Sequence, residues 1–249
     1  MFAQSVTALD QTREQTRVIL REYLDYAMAA LERHGVQLHI HTDFERLKHI
    51  NRQNRPYWFP IMPMFDHDCS SLEGYEDAFW LEGRARDGRC LVTQCERRYL
   101  LSQTTVGNEL SSLRFFYDDP QRFAAEREIC LCDAPSADFL AGNVSYSGGL
   151  WVHPELRGNY LSSHMMRISR ALAMILWDSD YNLALVEPVL VEKGVVAGYG
   201  YPGVEPGVSW VGSPIHGDLN LLLVWMDRLT LVRDLEAVLT GAETARVGT

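Results

Sequence analysis

Residues 150–177 read LWVHPELRGNYLSSHMMRISRALAMILW. Ser145 to Val152 has the character of a strand, Pro154 breaks it, and Arg157-Gly158 makes a tight step. From about Asn159 to Trp177 the apolar residues recur at helical spacing. Leu161, Met165, Ile168, Leu172 and Ile175 fall on one face, with Arg167 and Arg170 expected off it. A helix start presents unpaired N–H groups and a partial positive charge, so the loop entering this helix is suited to hold a diphosphate.

Working outward, LALV at 183–186 and LLLVWM at 221–226 are short apolar runs suited to buried strands. Strand, helix and strand in that order imply a parallel pairing with a right-handed crossover. Upstream, AFWLEGRA and RCLVTQCERRYLL flank Asp87-Gly88, a dipeptide that favours a tight hairpin between two antiparallel strands. Pro120 to Glu128 suggests a short helix or connector. Thr12 to His34 predicts an amphipathic helix with Leu20, Leu24, Ala27 and Leu31 on one stripe, Thr12 and Gln15 as a capping box, and Gly35 as the stop. Between Val36 and Glu76 the periodicity is lost around Pro56, Pro60 and Pro63. An irregular packed layer and a substrate-covering loop are both open there. The chain is expected to be one domain: a core at residues 76–249, with residues 1–75 packed on it as a helix and irregular extension.

The chain has 249 residues, a formal net charge of −10 and 22% charged residues. Its basic residues are dispersed, which argues against a nucleic-acid or anionic-membrane surface. An anionic ligand must then be held locally. No basic leader with an apolar core opens the sequence and no long apolar run occurs, so a cytoplasmic protein is expected. Five cysteines, none in a C-x-x-C pair, suggest reduced packing thiols; Cys130-x-Cys132 reads as two thiols on one strand face.

Val152-His153-Pro154-Glu155-Leu156-Arg157-Gly158 resembles the V-x-P-x-x-R-G run that enters the pyrophosphate loop of GNAT-type N-acetyltransferases. That family's loop continues as Arg/Gln-x-x-Gly-x-Gly/Ala, and the matching positions here are Arg157, Tyr160 and Ser162. Tyr160 replaces the first glycine, a strained choice if φ must be positive. The resemblance extends over residues 78–240 through the hairpin, the motif strand and helix, the 183–186 strand, the GVVAGYGY segment at 194–201 and a closing strand.

It implies an α/β (mixed α+β) GNAT fold: a central mixed, mostly antiparallel sheet, splayed at a parallel strand pair and flanked by helices. It also implies an acyl-CoA-dependent N-acyltransferase with acetyl-CoA, or another acyl-CoA, as co-substrate and a small-molecule amine as acceptor. The cofactor-binding positions that follow are the main chain of Trp151 and Val152 at the splayed edge, with Arg157, Gly158, Asn159, Tyr160, Leu161, Ser162 and Ser163 around the pyrophosphate.

Acyl transfer to an amine needs a base and an acid near the splay. Glu187, ending the LALV strand, is the candidate base, and Tyr199 or Tyr201 the candidate acid, with Tyr199 preferred. The family's own tyrosine falls on Val196 or Gly194, so none carries over residue for residue. His39-Ile40-His41-Thr42-Asp43 and His67-Asp68-Cys69 suggest a metal site only weakly, and no metal is expected. Two other functions stay open. One is acyl-carrier-protein-dependent acyl transfer of the acyl-homoserine-lactone synthase type, whose central region LEGYEDAFWLEGRARDG at 72–88 resembles; the other is a non-catalytic GNAT-like ligand-binding protein. A homodimer is compatible with any of these.

Overall fold

The computed structural model describes residues 2–241, with side chains from Arg13 onward. In chain order the elements are α1 (Phe2–Arg33), β1 (Gln37–His41), α2 (Phe44–Gln53), β2 (Ala78–Arg84), β3 (Cys90–Leu101), α3 (Val106–Ser111), α4 (Pro120–Phe123) and β4 (Ile129–Cys132). Then follow β5 (Gly142–Val152), α5 (Leu161–Trp177), β6 (Tyr181–Val186), α6 (Pro188–Glu192), β7 (Glu205–Ser213), β8 (Gly217–Asp227) and α7 (Arg228–Leu239). The eight strands form one sheet in the order β1-β2-β3-β5-β6-β8-β7-β4. Every pairing is antiparallel except β5 with β6, which is parallel. The expected mixed, mostly antiparallel sheet with one parallel pair, flanked by helices, is the observed architecture.

Alternation along the strands sorts side chains onto two layers. On one side, Phe79, Leu81 and Val92 pack with Leu20, Tyr23 and Leu31 of α1, Met165 and Ile168 of α5, and Leu231 and Leu235 of α7. On the other, Trp80, Cys95, Val144 and Tyr146 pack with Phe44, Leu47 and Ile50 of α2 and with Phe115 and Phe116. The weak signal at 36–76 hid both β1 and α2. Asp43 caps α2 by accepting from the Arg46 amide at 3.1 Å, and Phe44, Leu47, Ile50 and Asn51 form its buried stripe.

Three expectations need correction. α1 begins at Phe2, so Thr12 lies within it and a Thr12–Gln15 box does not start it. Ile175 is 48% exposed. Arg167 and Arg170 are buried on α5, at 3% and 1% exposure. The cause is that the side of α5 that carries the arginines is covered by α7 and the 196–201 segment. The arginines are accommodated by Asp234 of α7: Arg167 donates to both carboxylate oxygens at 2.8 and 2.9 Å, and Arg170 to one at 3.4 Å. Arg170 also donates to the Tyr199 carbonyl at 2.6 Å. A buried charge is tolerated only with such partners.

Candidate functional site

β5 and β6 pair only over Val144–Tyr146 with Tyr181–Leu183. Beyond that, β5 stays with β3 through Val152 while β6 stays with β8 through Val186, and the two strands part as a fork. A bulge explains the divergence. Cys95 opposes Gly148 but Thr93 opposes Trp151, so β5 carries one extra residue at Gly149-Leu150 and bends away from β6. Gly149 has φ +59°, and a Cβ there would lie 2.5 Å from Cys95 Sγ. The Thr93 hydroxyl donates to the Gly149 carbonyl at 3.0 Å and fixes the bulge. The inner edge of β5 from Ser147 to Val152, including Trp151 and Val152, therefore has no strand partner in the gap among the described residues.

At the open end of the fork the chain passes through a 3-10 turn, Pro154–Leu156, into the loop before α5. Gly158 has φ +85° and Tyr160 φ +56°, so two left-handed residues turn the backbone onto the helix axis. Tyr160 is the N-cap, makes no side-chain cap bond, and is 72% exposed. The position does require positive φ, and tyrosine meets it at a cost of about 1–2 kcal/mol relative to glycine. Gly158 is exposed, and a Cβ there would meet nothing within 4 Å. Arg157 is exposed; its guanidinium donates to the Val152 carbonyl at 3.2 Å and the Tyr57 carbonyl at 3.4 Å, fastening the loop to the end of β5 and to the segment after α2. Asn159 donates to the Leu156 carbonyl at 3.2 Å. Leu161 is buried as the anchor of α5, Ser162 is half-buried, and the Ser163 hydroxyl donates to the Gly198 carbonyl at 2.5 Å. Main-chain N–H groups, rather than these hydroxyls, face a ligand at a helix start.

Trp151 is buried and stacked on Trp58 with ring centroids 5.2 Å apart. The Tyr57-Trp58 step thus connects the loop and the fork to the 54–63 segment. Glu187 sits half-buried at the open end of β6, at the N-cap position of α6 without a side-chain cap bond. Tyr199 packs with Met166, Ala184, Val186, Val196 and Val224 in an apolar cluster on the α5 side, and burial pushes its hydroxyl pKa up.

The throat of the fork holds a polar cluster that the strand patterns alone did not single out. Glu96 of β3 is fully buried and accepts from the Ser147 hydroxyl of β5 at 2.8 Å and from Asn182 Nδ2 of β6 at 2.7 Å. Asn182 Nδ2 also donates to the Ser145 and Ser147 hydroxyls at 2.9 and 3.0 Å. Tyr201 donates its hydroxyl proton to Asn182 Oδ1 at 2.6 Å, and the Arg170 guanidinium lies over its ring at 4.7 Å. Burial raises the Glu96 pKa to about 7 against the opposing hydrogen bonds from Ser147 and Ser169 and the Arg170 charge. The available signal was polar Ser145, Ser147 and Asn182 at alternating positions of otherwise apolar strands.

A cleft of about 490 Å³ opens on the face opposite α5, lined in part by Lys48, Arg52, Arg55, Ile61, Tyr117 and His216. Val186 pairs with Leu222, so the β7–β8 turn carrying His216 stands past the open end of the fork, as does the 54–63 segment. Lys48 is held by Asp66 at 2.7 Å and Asp68 at 2.5 Å, whereas Arg52 and Arg55 make no ion pair among the described residues. Burial lowers the His216 pKa to about 4, so its ring is neutral. The two histidine motifs have separate partners: His41 contacts Glu82 at 2.9 Å and His67 contacts Glu45 at 2.9 Å. Cys130 is buried and Cys132 half-buried on one face of β4.

No family model and no curated protein matches the chain. Solved structures do. Arabidopsis thaliana NAA60 in complex with acetyl-CoA matches at 12% identity and a TM-score of 0.45, covering 78% of this chain and 99% of that one. The ribosomal-protein-S5-alanine acetyltransferase of Vibrio fischeri matches at 12% identity and a TM-score of 0.43, covering 78% and 93%. The aminoglycoside acetyltransferase AAC(6')-Ib in complex with coenzyme A and kanamycin matches at 13% identity and a TM-score of 0.42, covering 80% and 98%.

Proposed function

We propose that this protein transfers an acyl group, acetyl in the simplest case, from acyl-CoA to a small-molecule amine. The observation that carries this function is the coincidence of two features at one place. The sheet is forked at the only parallel pair among the described residues, and the fork opens directly beneath a left-handed loop entering a long helix. An extended amide-bearing arm fits between two free strand edges, and a diphosphate fits the helix start. An acidic chain binds a polyanion in this way without a global positive field.

In this scheme the N–H groups of residues 158–163 and the Arg157 guanidinium hold the pyrophosphate, and the edge at Trp151 and Val152 pairs with the pantetheine arm. The amine approaches from the cleft beside Arg52, Arg55 and His216. Its nitrogen lone pair attacks the thioester carbonyl carbon; the C–S bond breaks, the nitrogen loses a proton, and the sulfur gains one to leave as the thiol. Glu187, at the open end of β6, is the proposed base. Tyr201, whose hydroxyl lies at the fork, is better placed than Tyr199 to supply the acid, because the Tyr199 ring is enclosed by aliphatic side chains.

The test is release of free thiol from acetyl-CoA over a panel of amines, with product mass confirming an N-acetyl adduct. Acceptor-dependent release is expected. A folded protein that binds acetyl-CoA but acylates nothing in the panel would favour ligand binding without catalysis.

A further inference from the structure

The polar cluster at the throat of the fork is more elaborate than packing requires. A carboxyl group with no solvent contact is costly, and an aliphatic residue would fill the same space at lower cost. Glu96 forms no ion pair among the described residues, although Arg170 is near enough to favour its charged form. It meets the fork through Ser147 of β5, at 2.8 Å, and through Asn182 of β6, whose amide touches Glu96 with Nδ2 and Tyr201 with Oδ1.

That geometry is directional. An ionised carboxylate only accepts hydrogen bonds, so it holds the Nδ2 side of Asn182, leaves Oδ1 for Tyr201, and draws the phenolic proton toward Asn182. A protonated Glu96 gains one O–H donor and keeps an acceptor. When that donor takes Asn182 Oδ1 rather than the Ser147 oxygen, the amide turns over, Nδ2 donates to the Tyr201 oxygen, and the phenolic proton is released to point elsewhere. The Ser145 and Ser147 hydroxyls donate as readily as they accept, so both orientations satisfy them. We propose that Glu96 is a positioning residue that, through the Asn182 amide, decides whether Tyr201 donates its proton to Asn182 or into the gap between β5 and β6.

For catalysis this inference rests on the acyl transfer proposed above, with Tyr201 as the acid; the hydrogen-bond switch itself does not. The charged and titratable groups around Glu96 are few: Arg170 on α5, itself bonded to Asp234 of α7, Tyr201, and Cys95 and Tyr146 across the sheet. Burial holds the Tyr201 pKa up at about 12 and that of Tyr146 above its usual range, and burial also raises that of Cys95, so Glu96, at about 7, is the group that titrates near neutrality.

The experiment is a pH titration of the full chain labelled with carbon-13 at tyrosine Cζ and glutamate Cδ, the Tyr201 and Glu96 signals being identified by their loss in Tyr201→Phe and Glu96→Gln. The expected result is a step in that signal centred near pH 7, far below ionisation of the phenol itself. Glu96→Gln should abolish the step. Asn182→Ala should also abolish it while the Glu96 carboxyl carbon still titrates. No step in the native chain, or a step surviving either substitution, overturns the inference. If Asn182→Ala does not fold, Asn182→Val takes its place with the same expected and overturning results. None of these measurements needs acyl-CoA, so failure to bind acetyl-CoA overturns the transferase and leaves the switch to stand or fall on its own result. Where transfer is observed, kcat should show a falling limb above pH 7 that Glu96→Gln removes, with KM for acetyl-CoA unchanged.

Discussion

Replacing Glu96 by glutamine should stabilise the protein in alkali and not in acid. The native carboxyl is held at about 7 by burial, against an ordinary value of 4.5 in the unfolded chain. Between those values the folded state binds more protons than the unfolded one, so stability falls as pH rises through this window. The full difference corresponds to about 3 kcal/mol, an upper figure because water entry and local relaxation relieve part of it. Glutamine keeps the size and one acceptor but carries no charge. Its advantage should be near zero at pH 4 and grow to between about 1 and 3 kcal/mol at pH 8. Urea unfolding of both proteins at the two pH values, with equal m-values as the control, measures this directly. An advantage of the same size at both pH values, or none at pH 8, would refute the claim that Glu96 is ionised at a cost in the folded protein.

Glu82 should behave in the opposite sense. Burial alone would raise its pKa, but hydrogen bonds from Arg84 and Arg46 outweigh burial and hold it below 4.5. Its contribution is then present above pH 4.5 and lost as pH falls further, so Glu82→Gln should destabilise at pH 7 and much less at pH 3 by the same unfolding assay. Asp234→Asn should cost about 3–5 kcal/mol, because it leaves the buried Arg167 and Arg170 without their carboxylate; calorimetric unfolding would show it. Tyr160→Gly should gain about 1 kcal/mol by relieving the left-handed tyrosine, and an unchanged midpoint would show that the loop relaxes instead.

Much of the fold was legible because the decisive signals were local. The Asp87-Gly88 hairpin, the strand before Pro154 and the apolar period of α5 each follow from neighbouring residues, and the parallel pair follows from their order. The fork itself was expected only from family likeness; its physical cause, the bulge at Gly149, depends on pairing with Thr93 and Cys95 some 55 positions away in the chain. The same distance hid the throat of the site. Glu96, Ser147, Asn182 and Tyr201 come from four separate segments, and nothing local marks a glutamate in CERRYLL as buried. Arg167 and Arg170 misled for the converse reason: helical period assigns charge to solvent, but the side of α5 that carries them is covered by α7 and the 196–201 segment, and Asp234 supplies the counter-charge. Tyr160 was correctly marked as a strained position, since positive φ there follows from the tightness of the turn that Gly158 begins.

The most direct test of the account is calorimetric titration of the full chain with acetyl-CoA. Saturable one-to-one binding is expected, weakened in a folded protein carrying Arg157→Ala, which loses a charged donor. No binding by the folded native chain, or affinity unchanged in the Arg157→Ala variant, would contradict the placement of a coenzyme A site at the fork.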